Sequence, residues 1–147
     1  VIRAGVVDAT IQEFPAGTPT AEDAAREIGC GVDAIVKTIV FVTDRGFVLA
    51  LVPGDRRADE AKVAAAAGAT TIRVAGREEV PLATGFEVGA VPPFPHRGVS
   101  GVLIEQSLLQ HDRVWIGAGS ARHMAALAPG DLQRLANAFP ADLVAPR

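Results

Sequence analysis

Apolar and polar positions alternate from Val6 to Phe14, with Val7, Ala9 and Ile11 set against Asp8, Thr10 and Gln12, and this period of two predicts a first strand. A loop through Pro15-Ala16-Gly17-Thr18-Pro19 follows. Thr20 then reads as a helix N-cap with Glu22 and Asp23 in the first turn, and Gly29 closes the helix Ala21–Ile28. The run Ala34 to Val42 is β-branched and almost wholly apolar. Asp44-Arg45-Gly46 turns it back into Phe47 to Val52, so the pattern predicts a hairpin. The alanine-rich stretch Asp59 to Ala67 ends at Gly68 and reads as a second helix. Thr70–Val74 reads as a strand, and Glu78–Ala83 as a short helix interrupted by Pro81.

Glycine and proline become denser in the second half. Phe86–Val91 and Val99–Glu105 read as strands on either side of Pro92-Pro93-Phe94-Pro95-His96-Arg97-Gly98, a stretch too rich in proline to join a sheet. Two more strands are expected at Arg113–Gly117 and Arg122–Leu127, joined by Ala118-Gly119-Ser120-Ala121. A last helix is expected from Asp131 to Phe139, and the tail Pro140–Arg147 reads as frayed. Strands outnumber helices and tight turns join two of them, which predicts an α/β or α+β domain with a curved mixed sheet.

Composition narrows the function. A chain of 147 residues that is 49% hydrophobic with a net charge of −3 suits a single domain over 1–147 with one substantial core. Its mild acidity argues against a nonspecific DNA binder, while a local group of arginines remains able to hold one end of an RNA. Cys30 is the only cysteine, so no intrachain disulfide is possible, and a reducing, cytoplasmic setting is expected. No apolar run approaches the roughly 18 residues of a membrane span, and the start lacks a secretory layout. The histidines His96, His111 and His123 have no metal-ligand spacing, and no metal or other cofactor is expected.

The residue that stands out is Lys37. Only Lys62 is also lysine, and Lys37 lies inside the most strand-like run of the chain. An unpaired ammonium in a core costs several kcal/mol, so it either guards an exposed strand edge or faces a lined pocket. Conventional nucleophile signatures are missing: Ser100 and Ser120 lack the glycines of a nucleophile elbow, and no phosphate-binding loop precedes either lysine. Gly117-Ala118-Gly119-Ser120 begins like a dinucleotide fingerprint without its third glycine. Cys30, next to a helix stop, reads as a small core-filling residue. Thr84-Gly85-Phe86-Glu87-Val88-Gly89-Ala90-Val91-Pro92-Pro93-Phe94 places glycines before a rigid diproline, a design that either turns a corner or presents main-chain N–H groups to a ligand.

Taken in order, Val36-Lys37-Thr38-Ile39-Val40-Phe41, Ala83-Thr84-Gly85-Phe86 with Gly89 to Phe94, and Val114-Trp115-Ile116-Gly117-Ala118-Gly119-Ser120 ahead of Leu127-Ala128-Pro129-Gly130-Asp131-Leu132 resemble the YbaK/ProX family of aminoacyl-tRNA deacylases. The likeness runs from Thr20 to the last helix. It implies a barrel-like, strongly curved mixed sheet flanked by helices, with a pocket between the lysine strand and the Gly-x-x-x-Pro loop. By this resemblance Lys37, Gly89 and Ala90 are the catalytic positions, and Thr20, Thr38, Gly85, Pro93, His96, Gly119 and Ser120 contact substrate. Ala90 stands where several members carry a second glycine, and Glu105 where aspartate is frequent.

The activity so implied is a free-standing deacylase that clears mischarged tRNA in trans, with tRNA for proline carrying cysteine, alanine or another small residue as substrate. The partner is the acceptor end of an aminoacyl-tRNA, alone or with a synthetase, held by Arg56, Arg57, Arg97 or Arg122. Competing readings are a non-catalytic module that binds a nucleotide or an RNA 3′ end, and a small-molecule ester or amide hydrolase.

Overall fold

In the hairpin that leads the sequence pattern, β2 (Val36–Thr43) pairs antiparallel with β3 (Gly46–Pro53) along their whole length, Lys37 opposite Val52 and Thr43 opposite Gly46. The computed structural model describes residues 9–13, 20–86, 93, 98–120 and 123–146. The turn is held from both sides. Thr43 Oγ1 donates to the Gly46 carbonyl at 2.8 Å and accepts from Arg45 N at 2.9 Å. Asp44 Oδ1 accepts from the N–H groups of Thr70 and Thr71 at 2.7 and 3.1 Å, and these bonds hold its carboxyl below the ordinary aspartate range.

Three strands extend the hairpin into a five-stranded sheet in the order β4-β2-β3-β5-β8, where β4 is Ile72–Val74, β5 is Val99–Glu105 and β8 is Phe139–Ala141. β4 is antiparallel to β2, whereas β5 runs parallel to β3 and β8 parallel to β5. The sheet is therefore mixed. A second, antiparallel sheet has the order β1-β7-β6, built from Ala9–Glu13, His123–Leu127 and Val114–Ser120 respectively. A single parallel bridge from Ile35 to Trp115 joins the two sheets at the start of β2.

The sheets and helices enclose two apolar clusters on opposite faces of β3. Leu49 and Leu51 face one cluster, with Val36, Val40, Ile104, Leu108, Val114, Ile116, Leu127 and Leu132; Val48, Ala50 and Val52 face the other, with Phe41, Val63, Leu103 and Leu143. All five of those β3 residues are fully or nearly fully buried. That explains why Phe47–Val52 reads as a continuous apolar run instead of alternating: both faces of this central strand lie in core.

Among the described residues there are four helices, α1 (Ala21–Ile28), α2 (Glu60–Ala67), α3 (Glu79–Thr84) and α4 (Pro129–Ala136), with 3-10 turns at Val32–Ala34 and Gln106–Gln110. α1 has the bounds the sequence predicts, capped by Thr20 Oγ1 on Asp23 N at 3.1 Å and stopped by Gly29 at φ 83°. α2 is capped in the same way by Asp59 and stopped by Gly68. No described helix is long and apolar enough to cross a membrane.

Several expectations need correction. Pro81 does not interrupt α3, because it sits in the first turn, where a missing N–H leaves no helical bond unmade. The last helix ends at Ala136, with Asn137 in the left-handed region at φ 50°, so that Phe139 already belongs to β8. The 118–121 connection is shorter than expected, since β6 runs to Ser120 and β7 begins at His123. Phe86 lies in a bend, and the rest of the strand expected over 86–91 lies outside the described residues.

The expected frayed tail is a correction of larger consequence. Phe139–Ala141 extends the sheet, Leu143 is completely buried, and Val144 bridges to Ala58. Asp59 N donates to the Leu143 carbonyl at 2.8 Å and Ala145 N to the Arg57 carbonyl at 2.9 Å. The segment 142–146 is thus stitched to the connection between β3 and α2.

Candidate functional site

Backbone alternation separates Lys37 from its neighbours. Val36 and Val40 point into the cluster that also receives α3, while Ile39 and Phe41 point into the cluster under α2, so Lys37 shares the α2 face and Thr38 the opposite one. Lys37 nonetheless is only half-buried, and the sheet shows why. On the side of β2 away from β3, β4 pairs with Phe41 to Thr43, Ala75 N donates to the Val40 carbonyl, and β6 bridges Ile35. Between these contacts no described strand pairs with Val36 to Ile39. The two sheets part at this point, and Lys37 and Thr38 border the parting from its two faces.

The Lys37 ammonium is held by a main-chain acceptor: Nζ donates to the Arg56 carbonyl at 2.9 Å. An ammonium has three donors, and among the described residues this is the one hydrogen bond Lys37 makes. A carbonyl orients the ammonium without forming an ion pair with it. No ion pair to Lys37 occurs among the described residues.

Around the other flank of the opening, α3 packs Val80 and Ala83 into the main cluster and ends at Gly85 with φ 80°. Thr84 Oγ1 donates to the Val80 carbonyl at 2.8 Å and accepts from Phe86 N at 3.1 Å, so the chain leaves the helix in a fixed direction. It returns at Gly98, where a Cβ would lie 2.5 Å from the Ala83 carbonyl oxygen; only glycine permits so close a return. The two ends of the glycine- and proline-rich loop are thereby both pinned to α3. Of the loop itself, Pro93 is buried, while Gly89, Ala90, His96 and Arg97 lie outside the described residues.

The remaining candidates divide. Thr20 is exposed and its hydroxyl caps α1, donating also to Asp23 Oδ2 at 2.9 Å. Gly119 and Ser120 lie in β6. Arg122 lies outside the described residues, and Arg57 is exposed on the connection before α2. Cys30 packs against the Ala24, Ala25, Ile35 and Met124 cluster, and burial raises its thiol pKa, as befits an inert core residue. Among the described residues no group of three His, Cys, Asp or Glu is placed to hold a metal ion.

Glu105 proves structural. Its carboxylate is almost fully buried and accepts from Ser107 N at 2.8 Å and from Leu143 N at 3.0 Å, joining the end of β5 to the C-terminal segment. Sequence reasoning also gave Arg56 only a surface role. Its carbonyl holds Lys37, its guanidinium donates to the Ala145 carbonyl at 2.7 Å, and its side chain borders two polar clefts of about 310 and 380 Å³ that share Ser107 and Gln110. No local sequence signal marks a backbone acceptor, which any residue supplies.

Residues 15–135 match the aminoacyl-tRNA editing domain family, and the chain belongs to it. It is 37% identical over 115 residues to a proline–tRNA ligase of Nitratidesulfovibrio vulgaris strain DP4, covering 77% of this chain and 20% of the ligase. A proline–tRNA ligase of Xanthomonas oryzae pv. oryzae is 35% identical over 91 residues, or 62% of this chain and 16% of the ligase. The chain thus spans about a fifth of the length of the curated relatives it matches. Among solved structures, a candidate trans-editing enzyme for prolyl tRNA synthetase superposes with a TM-score of 0.86 at 37% identity, over 94% of this chain and 87% of that one.

Proposed function

We propose that this chain hydrolyses the ester of mischarged aminoacyl-tRNA, acting in trans on tRNA for proline that carries cysteine, alanine or another small residue. The observation that carries this reading is the match of residues 15–135 to the aminoacyl-tRNA editing domain family; Lys37 supports it, a half-buried ammonium held by one main-chain carbonyl and making no ion pair among the described residues. Likeness to both a prolyl-tRNA ligase and a candidate trans-editing enzyme supports proline tRNA as the class.

An aminoacyl ester is already activated. Hydrolysis requires water to attack the carbonyl carbon, the C–O bond to the ribose to break, and the departing ribose oxygen to take up a proton. Positioning and charge stabilisation suffice for this, with no covalent enzyme intermediate. In this scheme Lys37 attracts the negative charge that develops on the carbonyl oxygen or the neighbouring terminal phosphate, and the N–H groups of Gly89 and Ala90 donate to the oxyanion. Each such donor is worth roughly 2.7–4 kcal/mol in comparable sites. Selection works by excluding larger side chains, because one methylene changes binding by only about 1–3 kcal/mol.

Incubating the protein with a panel of aminoacyl-tRNAs, and with small amino-acid esters as controls, tests the proposal. Release of a small amino acid from proline tRNA, with cognate prolyl-tRNA spared, is the expected result. Tight binding of the acceptor end without release would instead make the chain a binding module. Turnover of small esters in preference to tRNA would make it a general esterase.

A further inference from the structure

Both lysines of this chain are tied to one C-terminal segment, although they are 25 positions apart in sequence and lie in different elements. Lys62, on α2, reaches Asp142 Oδ2 at 2.9 Å and the Val144 carbonyl at 2.8 Å, and its hydrogen bond, helped by its charge, holds the Asp142 carboxyl below the usual aspartate range. Lys37 reaches the same segment through one intermediary. Its ammonium donates to the Arg56 carbonyl, and the Arg56 guanidinium donates to the Ala145 carbonyl.

We propose that Arg56 is the positioning residue for Lys37, and that the docked segment 142–145 fixes Arg56 and through it the ammonium. The inference rests on the deacylase reading for its kinetic consequence, while its geometric content stands without it. Arg56 closes the turn after β3, its N–H donating to the Pro53 carbonyl at 3.1 Å, and a turn carbonyl at the surface is an uncertain anchor by itself. Here it is held at three points: by the turn bond to Pro53, by the guanidinium clip to Ala145, and by the antiparallel contact of Ala58 with Val144 that follows immediately. Leu143, fully buried between these contacts, and Glu105, which accepts its N–H, keep the segment from sliding.

A lysine side chain is long and flexible, so a half-buried ammonium without a fixed acceptor samples many positions. One short bond to an immobile carbonyl leaves the other two donors aimed at a constant place. Small misplacements of a charged group at a reacting centre cost large factors in rate. Arg56 therefore acts on the reaction through Lys37, without touching substrate.

Arg56→Met keeps the apolar stem and the carbonyl and removes the clip. Expected is a loss of roughly tenfold in kcat with KM nearly unchanged. The same change made in Lys37→Ala should have no further effect, because the residue it acts through is gone. Additive losses, or a rise in KM relative to wild type that is largest at low salt and shrinks as salt is added, would overturn the proposal in favour of a direct RNA contact. A lysine readout is independent of activity: with only two lysines, lysine-selective ¹⁵N or ¹³C labelling gives two side-chain signals, assigned with Lys62→Arg. Arg56→Met should shift the Lys37 signal and speed exchange of its ammonium protons, and Arg56→Lys, whose added third signal is recognised by its absence from the wild-type and Arg56→Met spectra, should restore part of the shift. A Lys37 signal unmoved in folded Arg56→Met would overturn the positioning role even if the protein deacylates no tRNA, whereas failure of the aminoacyl-tRNA panel with a shifted signal would remove only the deacylase reading.

Discussion

Lysine is a compact charge on a long stem, and its place in β2 is tolerable because the residue is only half-buried and its head finds the Arg56 carbonyl. Lys37→Ala should therefore fold, since it abandons one hydrogen bond and leaves the Arg56 carbonyl to water. Deacylation should fall at least about tenfold, equivalent to roughly 1.4 kcal/mol of transition-state stabilisation. Lys37→Arg should not restore the rate, because a planar fork cannot place a point charge where an ammonium sits. Circular dichroism and initial rates on the same preparations check both halves of this expectation, and a folded Lys37→Ala with undiminished rate would remove Lys37 from the mechanism. The sequence left an edge guard or a pocket charge as alternatives for Lys37; the structure half-buries the residue and gives its ammonium the Arg56 carbonyl as acceptor.

Among elements, α3 and the loop it launches connect sequence to site most directly. Arg73 on β4 grips Glu79 in a bidentate pair at 2.6 and 2.9 Å, and Glu79 Oε1 also accepts from Gly76 N at 2.7 Å, which together draw the carboxyl down to about 2 from an ordinary 4.5. Depression of the folded-state value means that this contribution to stability is complete above about pH 4.5 and is lost as pH falls toward 2. Acid titration of the melting temperature should accordingly show a shallower slope in Glu79→Gln over that window, and identical slopes would show the pair to be energetically idle. The pair is solvent-exposed, so its effect should be small and sensitive to salt.

The loop gives a sharper contrast. If Gly89 lets the main chain approach the ester, Gly89→Val should abolish deacylation and leave Tm within a few degrees of wild type. A large fall in Tm with unchanged activity per folded molecule would make the loop a corner only. Local patterns located α1, α2, the hairpin and β5 because a cap, a stop or an apolar period lies within each segment. They misjudged Pro81 and Phe139, whose states depend on helix position and on a neighbouring strand.

For the molecule as a whole, the C-terminal segment closes the second core cluster. Leu143→Ala should destabilise by about 2–5 kcal/mol, as large-to-small changes at fully buried sites do. Chemical denaturation measures this, and a change below about 0.5 kcal/mol would restore the tail to the status of a frayed end. Because the segment also steadies Arg56, the same variant should lose activity before it loses its fold.

The capped helices, the hairpin with its register, the central apolar strand and the choice of Lys37 as the charge to explain were all determined by the sequence alone, because propensity, capping and side-chain period act between residues a few positions apart. Only the tertiary structure decided that, among the described residues, no strand pairs with Val36 to Ile39 on the side of β2 away from β3, that a backbone carbonyl nineteen positions away holds the lysine, and that Pro140–Pro146 is built in rather than frayed. Those features arise from main-chain groups meeting across the fold, and a main-chain donor or acceptor looks the same in every residue.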